Sequence, residues 1–146
     1  MPIFHGRNLR LGRTSESSRI YLITTVTRDR TPVFHDFHAA RSLVRILIET
    51  QRRNQASTLA YVIMPDHLHW MMQLHDTDSL PHVVGRVKSL SARAIGGPVW
   101  QTGFHDHGVR KEEDLLALAR YVVANPVRAG LVGSIRDYPH WDAIWL

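Results

Sequence analysis

Hydrophobic residues along this chain form two kinds of pattern: short continuous runs, typical of strands, and longer segments with a helical period. Three short runs are rich in β-branched and aromatic side chains, which is typical of strands that bury at least one face: residues 19–27, 58–64 and 67–75. The last two runs are separated only by Pro65 and Asp66, which predicts an antiparallel hairpin. Residues 99–101 are a candidate fourth strand, and the polar, glycine-containing stretch 102–110 is expected to be a loop.

Three longer segments place apolar residues every three or four positions, which predicts amphipathic helices over residues 36–54, 79–94 and 111–124. Asp36 is suited to cap the first helix, and Pro81 is compatible with the first turn of the second. Gly96 and Gly97 would end that helix, while Asn125-Pro126 interrupts the third. The last stretch, residues 133–146, has no clear period.

The predicted order is therefore β-α-β-β-α-β-α. This order is typical of an α+β fold of the ferredoxin-like, split βαβ type, with a central antiparallel sheet covered on one face by two helices. The third helix is an addition at the C-terminal end. We expect one domain over residues 19–146, preceded by a flexible basic arm over residues 1–18, which are rich in Arg, Gly and Ser.

Composition narrows the possible chemistry. The 146 residues contain no cysteine, which excludes a disulfide scaffold, a thiol nucleophile and Cys-based metal sites. The net charge is +5 and the isoelectric point is about 10.2, so nucleic acid is the first partner to consider. We see no apolar run suited to a secretory signal or a membrane span, and we expect a cytoplasmic protein.

Two histidines are the first candidates for catalysis. His67 and His69 are two residues apart on a predicted strand, so both side chains should lie on the same face and could share one metal ion. The intervening and following residues, Leu68 and Trp70, are large and apolar. One face of this strand therefore resembles core, while the other carries two imidazoles.

A tyrosine and an asparagine on the last helix are the second pair of candidates. Tyr121 and Asn125 are four residues apart and so lie one turn apart on one helix face. Packing of the tyrosine and helix termination by the asparagine would explain them equally well. Together with the two imidazoles, however, an amide oxygen would suit Mg²⁺ or Mn²⁺. A phenol beside such a metal could attack a phosphodiester.

Four segments together resemble a known family. Residues 64–69, Met-Pro-Asp-His-Leu-His, resemble the His-hydrophobe-His motif of single-tyrosine HUH transposases. Residues 121–131, Tyr-Val-Val-Ala-Asn-Pro-Val-Arg-Ala-Gly-Leu, resemble the tyrosine segment of one branch, the REP-associated tyrosine transposases. Residues 100–107 and 137–141 are similar to further segments of that branch. The resemblance extends over nearly the whole chain.

The resemblance implies a metal-dependent endonuclease and transesterase that cleaves and rejoins single-stranded DNA at palindromic, REP-like hairpins. By position, Tyr121 would be the nucleophile that forms a 5′-phosphotyrosine intermediate. His67, His69 and Asn125 would hold Mg²⁺ or Mn²⁺. Such proteins are bacterial and act at the nucleoid. A monomer and a homodimer are both compatible with the resemblance, and the target sequence is not readable from the protein.

Several basic residues and one tryptophan are candidates for contact with DNA. Lys88 matches a commonly basic position of the family and is a candidate phosphate contact. Arg7, Arg10 and Arg13 in the basic arm would suit a phosphate track. Trp141 is a candidate for base stacking, although packing on the body of the protein is the favoured interpretation. No role follows for residues 105–107, His-Asp-His.

Two other function classes remain open at this point. A non-catalytic nucleic-acid-binding module of the same fold would use exposed aromatic residues on its sheet. The sequence lacks the aromatic run typical of that class. A His-dependent hydrolase would use water in place of Tyr121 as the nucleophile.

Overall fold

The computed structural model describes residues 19–76, 78–110 and 113–144. Their strands are β1 (Ile20–Val26), β2 (Ala56–Met64), β3 (His67–Leu74), β4 (His105–Val109) and β5 (Trp141–Ala143). Their α-helices are α1 (Phe37–Arg52), α2 (Leu80–Ile95), α3 (Glu113–Val123) and α4 (Asn125–Arg128). Short 3₁₀ turns cover Arg28–Arg30, Val33–His35 and Ile135–Asp137.

The five strands form one sheet in the order β4-β1-β3-β2-β5, and every neighbouring pair is antiparallel. The β2–β3 hairpin lies beside β1, as the short Pro65-Asp66 connection predicts. This register places Thr24 directly opposite His69. It also places Val62 and Met64 opposite His69 and His67, respectively. The hairpin therefore sets the neighbours of both histidines.

One face of the sheet is covered by α1 and α2. This layer is a single apolar cluster in which Trp70, Leu68 and Ile63 of the sheet are at most 1% exposed. Leu43 of α1 and Val83 of α2 are buried in the same cluster. Burying such side chains stabilises the fold by about 1.5–3 kcal/mol each. The predicted α+β architecture, with two helices on one face of an antiparallel sheet, is confirmed.

The opposite face of the sheet is covered in part by α3. Leu115, Ala119 and Val123 of this helix pack with Ala60 and Met71 in a second apolar cluster. The helix thus lies on the face from which His67 and His69 project. The additional C-terminal helix is present as expected, and its packing brings the tyrosine segment to the histidine face.

The helix ends follow the predicted chemistry. The Asp36 carboxylate accepts a hydrogen bond from the backbone N–H of His38 at 2.8 Å, which satisfies a donor that the first turn of α1 leaves unpaired. Pro81 lies in the first turn of α2. Gly96 ends α2 with φ of 108°, a left-handed conformation that strains residues with a side chain.

The prediction of a fourth strand at residues 99–101 is wrong. Trp100 makes only an isolated bridge with Thr27, and β4 is formed by residues 105–109, which we expected to be a loop. Residues 105–109 are largely exposed because they form a sheet edge. They pair with β1 through backbone hydrogen bonds, which do not require alternating hydrophobic side chains. The sequence therefore shows no strand pattern there.

A short edge strand near the end of the chain was not predicted. Strand β5 has three residues and pairs with β2 at the opposite edge from β4. No α-helix of the described residues is long and apolar enough to cross a membrane. The predicted basic arm over residues 1–18 lies outside the described residues, so its flexibility and the domain boundary at residue 19 stay predictions.

Candidate active site

The two imidazoles of β3 lie side by side on the α3 face of the sheet. Their ring centroids are 4.7 Å apart and the rings are nearly perpendicular, with an interplanar angle of 84°. Leu68 and Trp70 point to the opposite face, where they are buried under α1 and α2. The strand alternation therefore produces the arrangement expected for two ligands of one site.

Each imidazole is held by a neighbour at its Nδ1 atom. Nδ1 of His67 is 2.7 Å from Oδ1 of Asp66, and Nδ1 of His69 is 2.9 Å from Oγ1 of Thr24. Where Nδ1 donates the hydrogen bond, Nε2 carries the lone pair that can bind a metal. Partners of this kind orient metal-binding histidines and select their tautomer. Sequence reasoning missed both partners, although Asp66 is adjacent to His67.

The environment of His69 favours its neutral form. Burial, together with the charges of His67 and Arg128, lowers the pKa of His69 to about 4. At neutral pH the imidazole is therefore uncharged, which is the state that a metal ligand requires.

The end of α3 packs on the strand next to the two histidines. Val122 is 1% exposed and contacts Val62 and Met64, whose cross-strand partners are His69 and His67. Tyr121 precedes Val122, and 59% of its surface is exposed. The phenol is therefore exposed, one residue before the point at which α3 packs against the cross-strand partners of the two histidines.

Asn125 lies where the helix is interrupted. Pro126 has no backbone N–H to donate to the carbonyl of Val122, four residues earlier. The side-chain Nδ2 of Asn125 donates to that carbonyl instead, at 3.1 Å. This contact fixes the carboxamide and leaves its oxygen, Oδ1, as the atom able to act as a ligand.

These donors fit a divalent metal in kind. Among the described residues, no three His, Cys, Asp or Glu side chains form a cluster that could hold a metal. The two imidazoles would therefore need the carboxamide oxygen of Asn125, or oxygens of a substrate, to complete the set. Nitrogen and neutral oxygen ligands of this kind suit Mn²⁺ and Mg²⁺.

Arg128 is a residue of this region that sequence reasoning missed. Its guanidinium carbon lies 3.7 Å from the centroid of the Tyr121 ring, and Nη1 donates to the backbone carbonyl of Tyr121 at 2.7 Å. The two residues are seven apart, which on a continuous helix would separate them by about 10 Å along the axis. In the sequence, only Asn125-Pro126 indicates that distances calculated for a continuous helix do not apply to these two residues.

The structure gives Lys88 a different set of contacts from the one expected. Its ammonium donates to the backbone carbonyls of Gln101 and Gly103, at 2.9 and 2.6 Å, and so ties α2 to the segment before β4. Burial lowers the pKa of Lys88. A phosphate contact by this residue stays a prediction, and these two carbonyls would compete for the same donors.

Trp141 packs on the body of the protein, which is the interpretation that the sequence favoured. It lies on β5, and its Nε1 donates to the carbonyl of Ile135 at 3.1 Å. Base stacking by this residue stays a prediction. Arg7, Arg10 and Arg13 lie outside the described residues.

The structure shows where the His-Asp-His segment, residues 105–107, lies on the sheet. His105 and His107 pair with Thr24 and Leu22, so both side chains lie on the same sheet face as His69. Asp106 lies on the other face. All three residues are exposed on the edge strand β4.

Comparison with known proteins identifies the class of the molecule as a transposase. The family model described as "Transposase IS200 like" matches residues 15–125, which is most of the chain. The chain belongs to the IS200-like transposase family.

Two bacterial relatives are REP-associated tyrosine transposases by name. One, from Haemophilus influenzae, is 26% identical over 142 residues, covering 83% of this chain and 77% of the relative. The other, from Escherichia coli K12, is 27% identical over 95 residues, covering 64% of this chain and 58% of the relative. The resemblance read from the motifs is confirmed.

Two solved structures share the fold. A REP-associated tyrosine transposase bound to a REP hairpin superposes with a TM-score of 0.75 at 24% identity, covering 84% of this chain and 75% of its own. A transposase from Deinococcus radiodurans superposes with a TM-score of 0.55 at 23% identity, covering 70% of this chain and 87% of its own.

Proposed function

We propose that this transposase is a metal-dependent, single-stranded DNA endonuclease and transesterase that cleaves and rejoins palindromic, REP-like hairpins through Tyr121. One observation carries the proposal. Two imidazoles, each anchored through Nδ1, share a sheet face with the end of α3, the helix that carries an exposed tyrosine. Burial of Leu68 and Trp70 on the opposite face fixes this orientation, since a strand cannot rotate one side chain without the other.

Tyr121 is the proposed nucleophile. In the cleavage step, a bond forms between Tyr121 Oη and the phosphorus, and the bond from phosphorus to the 3′ oxygen of the neighbouring nucleotide breaks. The phenol proton passes to solvent, and the departing oxygen takes up a proton from solvent to become a 3′-hydroxyl. The bond energy is retained in the 5′-phosphotyrosine, so attack by a 3′-hydroxyl reverses the step and joins two DNA ends.

His67, His69 and Asn125 are the residues proposed to hold Mg²⁺ or Mn²⁺. When bound, the metal would polarise a phosphodiester oxygen and stabilise the charge that develops on it. Asp66 and Thr24 contribute by holding the imidazoles in place, and burial contributes by keeping His69 neutral. Asn125 contributes a carboxamide that is anchored through its nitrogen.

The proposed substrate is a hairpin in single-stranded DNA. The net charge of +5 favours a polyanionic partner, and a structural relative is described as bound to a REP hairpin. We propose that the reaction takes place on bacterial DNA, in the cytoplasm, by a monomer or a homodimer. The basic arm would add phosphate contacts through Arg7, Arg10 and Arg13, with Lys88 and Trp141 as further candidates for DNA contact.

The test is covalent capture of labelled DNA. The protein is incubated with Mg²⁺ or Mn²⁺ and with hairpin oligonucleotides from its own genome, each labelled at the 5′ or the 3′ end. Denaturing electrophoresis should reveal a protein–DNA band that carries only the 3′ label, because the tyrosine retains the 5′ phosphate. Tyr121→Phe should abolish the band and leave hairpin affinity within about threefold, since the ring is retained and only the hydroxyl is lost.

Three results would contradict the proposal. Cleavage by Tyr121→Phe at the wild-type rate would identify water as the nucleophile and a hydrolase as the correct class. Binding of hairpins without cleavage in any divalent metal would favour a non-catalytic binding module. A band that carries only the 5′ label would reverse the assigned polarity. Tyr138→Phe serves as the matched control, because that hydroxyl donates to the Ile63 carbonyl.

A further inference from the structure

The guanidinium of Arg128 is held in one place by two contacts with a single residue. Its central carbon stacks 3.7 Å from the centroid of the Tyr121 ring, and Nη1 donates to the Tyr121 carbonyl at 2.7 Å. A guanidinium has five N–H donors in a planar fork, and the carbonyl uses one of them. Arg128 is exposed, so the remaining donors can reach a ligand at the surface.

The position of this charge relates it to both halves of the site. It lies against the ring of the proposed nucleophile, at the end of α3 where Val122 packs on Val62 and Met64, the cross-strand partners of His69 and His67. A phosphate that the Tyr121 hydroxyl attacks must lie next to the Tyr121 ring. It therefore lies within reach of the guanidinium that is stacked on this ring. The two residues lie on either side of the helix interruption at Asn125-Pro126, with Arg128 at the end of α4.

We propose that Arg128 is a further catalytic residue, which binds a non-bridging oxygen of the scissile phosphate and stabilises the negative charge that builds up during attack by Tyr121. This inference rests on the proposed function. An anion that gains charge as the reaction proceeds is bound more tightly in the transition state than in the ground state by a cation fixed beside it. The stacked ring supplies that fixation, and the planar fork of arginine matches phosphate geometry.

The test compares Arg128→Ala with Arg120→Ala. Arg120 is exposed in the last turn of α3, one residue before Tyr121, so its loss removes an equal charge from the same end of that helix. Arg128→Ala should slow covalent capture of hairpin DNA about 100-fold, as is typical for loss of one transition-state donor, and Arg120→Ala less than threefold. Hairpin affinity without metal should change less than threefold in both variants. Thermal melting checks that both variants are folded.

A charge-neutral substrate separates a phosphate contact from mere support of the tyrosine. Replacing the scissile phosphate with a methylphosphonate removes the negative charge on which Arg128 would act. On this substrate, wild type and Arg128→Ala should react within about threefold of each other. A persistent 100-fold difference would mean that Arg128 only positions the tyrosine ring, and it would overturn the proposal.

Chemical rescue gives a second readout. Guanidinium ion at tens of millimolar should restore Arg128→Ala activity at least tenfold without accelerating wild type, because the missing group is small and its site is open to solvent. Absence of rescue would count against the phosphate contact. If the wild type forms the covalent adduct and Arg128→Ala forms it at the same rate, this inference alone is overturned. If the wild type forms no adduct, the proposed function is overturned as well.

Discussion

The carboxylate of Asp66 accepts a hydrogen bond from Nδ1 of His67 at 2.7 Å, across adjacent residues at the turn into β3. Burial works to raise the pKa of Asp66, but the hydrogen bond from His67 and the charges of His67 and Arg30 lower it overall. An ionised carboxylate can only accept, so the hydrogen stays on Nδ1 and the Nε2 lone pair faces away. The pair resembles the carboxylate–histidine arrangement found at metal sites.

Replacing this carboxylate should weaken metal use without affecting the fold. In Asp66→Asn the amide can donate to Nδ1, which permits the tautomer whose Nε2 carries hydrogen. We expect the Mn²⁺ concentration needed for half-maximal cleavage to rise about 10–100-fold, the usual effect of losing such a partner. Asp29→Asn removes an exposed carboxylate from the segment after β1 and should leave the titration unchanged. An unaltered titration in Asp66→Asn would show that the tautomer is set elsewhere.

Loss of one imidazole should be only partly compensated by more metal. His67→Ala removes one of two imidazole ligands, so we expect cleavage to fall at low Mn²⁺ and to recover incompletely at high Mn²⁺. His38→Ala is the control, because His38 is an exposed histidine on α1. Cleavage rates across a Mn²⁺ series measure the effect. A metal role would be contradicted if His67→Ala cut DNA at the normal rate in EDTA.

The basic arm should appear in the salt dependence of DNA binding. Each contact between an arginine and a DNA phosphate releases counterions from the DNA. If Arg7, Arg10 and Arg13 make such contacts, each contact that is lost should reduce the slope of log affinity against log salt by about 0.7–0.9. Replacing all three with alanine should therefore flatten the slope by about 2–3 and weaken binding to all sequences alike. Binding titrations between 50 and 200 mM salt would measure this. An equal slope in both proteins would place the phosphate contacts elsewhere.

His140 should make the fold less stable in mild acid. It is 6% exposed, its ring contacts Phe37 and Tyr138, and no described residue bonds its Nδ1. Burial and the charge of Arg41 lower the pKa of His140 from its usual 6.5. The unfolded chain therefore binds a proton below about pH 6.5 that the folded chain resists, so stability is full above that pH and falls below it.

The melting temperature provides the corresponding measurement. It should fall more steeply between pH 7 and pH 5 in wild type than in His140→Phe, which cannot take up the proton. His38→Phe, a change at an exposed histidine on α1, should keep the wild-type slope. Parallel melting curves for wild type and His140→Phe would show that this histidine is not responsible for acid sensitivity.

Most of the fold was readable from the chain because its buried elements have clear periods. Helices α1 and α2 bury one face each, which requires apolar residues at regular spacing. The β2–β3 hairpin is buried on both faces over much of its length, which requires nearly continuous apolar runs. Strands β4 and β5 lie at the two edges of the sheet. Edge pairing depends on backbone hydrogen bonds, which every sequence can offer, so the polar residues 105–109 resembled a loop.

The candidate site was only partly predictable for a similar reason. His67, His69, Tyr121 and Asn125 stand in recognisable motifs whose spacing along the chain is visible. Thr24 lies 45 residues from His69 in sequence, and only the β1–β3 register brings them to 2.9 Å. Arg128 meets Tyr121 across the helix interruption at Asn125-Pro126, seven residues away in sequence.

The sequence by itself determined the order of the main elements and the face on which the two imidazoles lie, and its resemblance to a known family singled out four candidate site residues. The order and the face follow from local covalent geometry, since side chains alternate along a strand and recur every turn along a helix. Only the tertiary structure decided which groups hold those residues in place: Thr24 and Asp66 at the imidazoles, and Arg128 at the phenol. The Thr24 contact depends on strand register, and the Arg128 contact depends on the course of the chain past Pro126. The Asp66 contact joins adjacent residues, so it depends only on the turn between β2 and β3.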